Sequence, residues 1–140
     1  MTRTSCLPLR AAFALGAAAC LLAAALPAQA NGHDEAMLKL ASNSGCLACH
    51  QVEPGAKGPD GLPPVGPPWR EVAAKYKGRH GAADQLVQTV MKGSNPYDSH
   101  WKGKASGLAM PPNAVAIKEA DAKKLVAWIL ALDASKKSAP

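Results

Sequence analysis

The chain has 140 residues, 16 Lys and Arg against 10 Asp and Glu, a formal net charge of +6 at pH 7 and only 4% aromatic residues. This length fits one domain beside a short targeting segment. The basic residues are scattered rather than clustered, so the charge does not indicate nucleic acid as a partner.

Arg3 and Arg10 precede an apolar run over residues 11–26, followed by Pro27 and the small-residue sequence Ala28-Gln29-Ala30. That pattern predicts a secretory signal peptide over 1–30, cleaved after Ala30, and export to the periplasm. The apolar run is short for a membrane span and ends in a cleavage site, so no anchor is expected to remain after processing. Cys20 has Ala rather than Leu three residues before it, and the apolar run continues past it, which argues against lipid attachment. The mature chain is then one domain over 31–140. Its formal charge is +4 once Arg3 and Arg10 are removed, and its only thiols are Cys46 and Cys49.

The first helix is expected near residues 34–45, with Asp34 and Glu35 favouring the dipole in its first turn and Met37, Leu40 and Ala41 on one face. Directly after it stands Cys46-Leu47-Ala48-Cys49-His50. Residues 54–68 hold six of the chain's prolines and four of its glycines. They predict a loop that runs over the site, because proline removes donors and glycine adds backbone freedom. A short helix over 69–77 stops at Gly78. Ala83, Leu86, Val87, Val90 and Met91 mark a third helix that Gly93 ends. A last helix over 119–134 carries Leu125, Trp128, Ile129 and Leu132 as its apolar stripe, with Lys123, Lys124 and Asp133 facing water. No strand signal or repeat is present, so the fold class is all-α.

The Cys-x-x-Cys-His run carries the chemistry. Two thiols on one turn can each add to a vinyl group of haem, and the adjacent imidazole then lies under the iron. A dithiol redox centre is the first alternative, but it usually sits at a strand-to-helix turn, and nothing strand-like precedes Gly45. Zinc is the second, but it needs about four ligands, and no second Cys pair or paired His motif occurs. Mature aromatic residues are limited to Trp69, Tyr76, Tyr97, Trp101 and Trp128. A buried porphyrin would supply the apolar body these cannot, and the cofactor-free chain is expected to fold poorly.

Beyond this motif, the chain resembles the class I cytochromes c, and among them the short bacterial respiratory cytochromes of the five-fifty-one group. The matching segments are Gly45 to His50, Val65-Gly66-Pro67, Glu71-Val72-Ala73-Ala74-Lys75, Lys92-Gly93-Ser94, Met110-Pro111-Pro112-Asn113-Ala114-Val115 and Trp128-Ile129-Leu130. They occur in order across the mature chain. The resemblance implies four or five short helices wrapped around one covalently bound haem c, with His50 and Met110 as axial ligands of its iron. Met110 suits the part, because a thioether favours the reduced iron and Pro111-Pro112 restrict the backbone beside it. Met37 and Met91 lie on apolar helix faces, where methionine more often fills core, while His33, His80 and His100 occupy polar surroundings. The resemblance also gives Pro67 a carbonyl that accepts from the His50 ring, Asn113 a donor on the methionine side, and Trp101 a reach toward a haem propionate.

This sequence departs from the pattern in three places. The loop between His50 and Pro67 is longer, residues 102–107 are extra, and Thr89 and Val90 stand where relatives place a basic residue near a propionate. The implied function is one-electron transfer by Fe(II)/Fe(III) cycling, without catalysis, by a monomer that docks redox partners with acidic surfaces through Lys57, Lys102 and Lys104. Two alternatives remain: a haem subunit of a larger oxidoreductase, and a ligand-binding or peroxidatic protein with labile methionine ligation.

Overall fold

The computed structural model describes residues 26–55, 61, 64–98, 101–102 and 105–134. Most of the expected signal peptide, much of the loop over 54–68, His100, Lys57 and Lys104 lie outside them. Four α-helices are present, α1 (Leu26–Asn43), α2 (Trp69–Tyr76), α3 (Ala82–Lys92) and α4 (Glu119–Ala131), with short 3-10 turns at Cys46–Ala48 and Pro96–Asp98. No strand occurs among the described residues. The all-α expectation therefore holds.

α1 begins eight residues before the expected start, so Asp34 and Glu35 sit in mid-helix rather than in the first turn. The backbone accounts for the difference. Pro27 falls in the first turn, where its missing N–H has no helical partner to lose, and alanine and glutamine continue the helix readily. The expected cleavage point after Ala30 lies inside this helix. Gly45, at φ 72°, takes the chain out of α1 and into the turn that carries the cysteines.

α3 buries Ala82, which packs into the core with α4, rather than the expected Ala83, which is exposed. α4 ends at Ala131, short of the expected 134. There the Arg70 guanidinium takes the Asp133 carbonyl at 2.6 Å, and Leu132 is already extended. Lys123, Lys124 and Asp133 are exposed as expected, the two lysines paired with Glu119 and Asp121.

α4 is the hub, in contact with α1, α2 and α3. Its Ala122, Leu125, Trp128 and Ile129 meet Ala41 of α1, Trp69, Val72 and Tyr76 of α2, Ala82 of α3 and Ile117. The Trp128 indole N–H donates to Asp34 Oδ1 at 2.7 Å and ties the last helix to the first. The core is thin, and among the described residues only Ala41 and Ala122 are fully excluded from solvent.

Candidate functional site

After His50 the chain is stitched to the start of α2. Gly66 N–H donates to the Cys49 carbonyl at 2.7 Å, Trp69 N–H to the Gln51 carbonyl at 2.8 Å, and Arg70 N–H to the Val52 carbonyl at 3.2 Å. Arg70 also pairs with Glu53 at 2.7 Å. Within this ladder His50 Nδ1 lies 2.9 Å from the Pro67 carbonyl. A carbonyl only accepts, so Nδ1 carries the proton and Nε2 keeps the lone pair. Burial pushes His50 below the usual histidine value of 6.5, outweighing the opposing effect of the Pro67 bond, so the ring is neutral at pH 7.

Two further residues hold the His50 ring. Trp69 stacks on it with centroids 6.0 Å apart and planes 22° from parallel, and Trp128 contacts Trp69 edge-on at 5.6 Å. Gly66 lies so close that a Cβ there would stand 2.4 Å from His50 Cε1. Cys46 and Cys49 are half-buried, unbridged thiols. Burial is the main cause that pushes the Cys46 thiol up, which keeps it protonated.

Met110 is held from the end of α3. Its N–H donates to Ser94 Oγ at 2.8 Å, and the Ser94 N–H donates to the Met110 carbonyl at 2.9 Å. Gly93, at φ 82°, makes this approach possible, since a Cβ there would stand 2.9 Å from the Met110 carbonyl oxygen. The segment is fixed further along by Asn113 N–H on the Val90 carbonyl at 3.0 Å and by Asn113 Nδ2 on the Pro111 carbonyl at 2.6 Å.

His50 and Met110 line the same cavity of about 350 Å³, together with Cys49, Pro67, Trp69, Tyr76, Thr89 and Trp101. That volume lies within the range of cofactor sites. A neutral imidazole with a free lone pair, a thioether and the Cys49 thiol line the cavity, and the Cys46 thiol stands three residues before Cys49, outside the lining; together they are the donor set a covalently held haem takes, so the residues fit that group. Of the other candidates, Met37 and Met91 pack against the core, while His33 and His80 are exposed. The Asn113 amide reaches the Pro111 carbonyl, one residue beyond Met110. Trp101 lines the cavity with Lys75 Nζ 4.4 Å over its ring. Sequence reading assigned no part to Ser94, Gly66 or Trp69. The matched segments Lys92-Gly93-Ser94 and Val65-Gly66-Pro67 were the signal for the first two, and the position of Trp69 after Pro67-Pro68 for the third.

A helical shell around a cavity lined by Cys49, His50 and Met110, with Cys46 completing the Cys-x-x-Cys-His run, defines a c-type cytochrome. The cytochrome c family profile matches residues 38–133, and the chain belongs to that family. It is 43% identical over 95 residues to cytochrome c-551 of Allochromatium vinosum, covering 68% of this chain and 84% of that protein. It is 36% identical over 91 residues to cytochrome c-551 of Pseudomonas aeruginosa, covering 65% and 71%. The crystal structure of Nitrosomonas europaea cytochrome c552 superposes with a TM-score of 0.53 at 38% identity, over 69% of this chain and 99% of that one. These likenesses bear out the class I, five-fifty-one-group resemblance and the fold it implied. Membership implies one covalently attached haem c with its iron, and electron transfer rather than catalysis; Cys46, Cys49 and His50 fit the attachment motif.

Proposed function

We propose that residues 31–140 form a monomeric periplasmic carrier of single electrons, released from residues 1–30 by cleavage after Ala30. Cys46 and Cys49 form the thioethers, and His50 and Met110 are the axial ligands. The observation that carries this reading is that His50 and Met110 line one cavity, His50 held by Pro67, Gly66 and Trp69 and Met110 by the reciprocal pair with Ser94. Haem c supplies the reversible one-electron change of its iron.

The protein's own residues set the conditions for that change. The Pro67 carbonyl fixes the His50 tautomer and strengthens the ring as a donor. Ser94 holds the Met110 backbone, which would keep the thioether available as an iron ligand. Trp101 stands at the cavity wall where a propionate can be reached, and Asn113 stiffens the loop after Met110. Exposed Lys102, with a formal charge of +4 for residues 31–140, favours a redox partner with an acidic docking face.

Carbon monoxide added to the reduced protein at neutral pH tests this reading. A saturated iron gives no adduct, whereas rapid adduct formation indicates a ligand-binding or peroxidatic protein and overturns the carrier.

A further inference from the structure

The described walls of the cavity contain no lysine, arginine, aspartate or glutamate. Haem c nevertheless brings two propionate carboxylates, ionised at neutral pH, on the porphyrin edge away from the thioether carbons. A pair of anions at the rim of an uncharged, largely apolar cavity calls for a compensating cation nearby.

α3 does not supply it. Thr89 faces the cavity, but its hydroxyl is neutral and donates back to the Gln85 carbonyl at 3.0 Å. α2 does reach the right place. It begins at Trp69 against the His50 ring, and Tyr76, seven residues on, lines the cavity about 10 Å farther along. On that last turn Lys75, half-buried, sets its Nζ 4.4 Å over the ring of Trp101, itself a wall residue. The aromatic face is one contact that holds the Lys75 cation in place.

The geometry points to Lys75 as the positive charge of the propionate end, placed by Trp101 and supplied from α2 where α3 carries Thr89. This rests on the haem reading above. Lys75 is a positioning residue. Reduction lowers the net charge at the iron by one, so a fixed cation at the cavity edge favours the reduced state, and its loss favours the oxidised one.

The test is the midpoint potential at fixed pH and low ionic strength of the intact cytochrome, of Lys75→Gln and of Lys75→Arg. Lys75→Gln is expected to lower it, with the equilibrium constant for reduction falling about threefold to tenfold, while Lys75→Arg stays near the starting value. Adding Thr89→Lys to Lys75→Gln moves the charge onto α3 and restores the potential. An unchanged potential in Lys75→Gln, or equal shifts in both single variants, overturns the assignment. Should Lys75→Gln not accumulate folded, an unaltered potential on adding Thr89→Lys to the intact protein overturns it as well, because an extra cation must then also act at that edge. Failure of the haem reading is separately visible, since the unsubstituted protein would then be colourless or release its pigment into acidified acetone.

Discussion

Gly66 and Ser94 each act on one ligand, and each offers a measurable consequence. In Gly66→Ala the new methyl would stand 2.4 Å from the His50 ring, which Trp69 and the Pro67 bond keep from moving away. The loss is expected at about 1–3 kcal/mol in chemical denaturation. Ser94→Ala removes the acceptor for the half-buried Met110 N–H and costs about 1 kcal/mol. Sulfur ligation should therefore be lost on heating roughly 4–8 °C earlier, read from absorbance. His50 also predicts a pH dependence. Burial holds its folded value below 6.5, so on acidification the unfolded chain binds the proton first. The stability His50 contributes is complete above about 6.5 and declines as pH falls below it, which denaturation midpoints taken between pH 7 and pH 5 would register. The attachment motif was legible because Cys-x-x-Cys-His is contiguous. The Ser94 and Gly66 contacts were not, since each joins residues about sixteen positions apart that meet only after folding.

Helix types and order were legible because α2, α3 and α4 each carry an apolar face at helical spacing. The ends were less so, because they are set by tertiary contacts. α4 stops where Arg70 of α2 captures the Asp133 carbonyl, a contact spanning 63 positions. α1 starts early because Pro27 and its alanine neighbours are compatible with a first turn, whatever the fate of the segment before them. The α1–α4 union depends on Trp128 and Asp34, so Trp128→Phe, which keeps a ring but removes the donor, is expected to cost roughly 1–2 kcal/mol. Hydrogen exchange would show the loss concentrated in α1 if this bond is the tether. Uniform loss across all four helices would contradict that. Of the Pro/Gly-rich loop over 54–68, residues 54, 55, 61 and 64–68 are described, and none of them is helical. Its tail is tied down by Gly107 N–H on the Val65 carbonyl at 2.9 Å, a link to the second extra segment that neither stretch reveals alone.

The whole molecule is a shell whose core is incomplete without its cofactor. Among the described residues only two alanines are fully buried, and a cavity of about 350 Å³ is lined by both His50 and Met110. Scarce aromatic residues made this deficit readable beforehand. A Cys46→Ala, Cys49→Ala double variant made without haem should show less helix by circular dichroism and a broader unfolding transition than the loaded protein. The central claim, a haem held between His50 and Met110, is tested most directly by the near-infrared absorption of the oxidised protein. A weak sulfur-to-iron band that disappears in Met110→Ala is the predicted result. Absence of the band from the unsubstituted protein, or its persistence in Met110→Ala, would contradict the account.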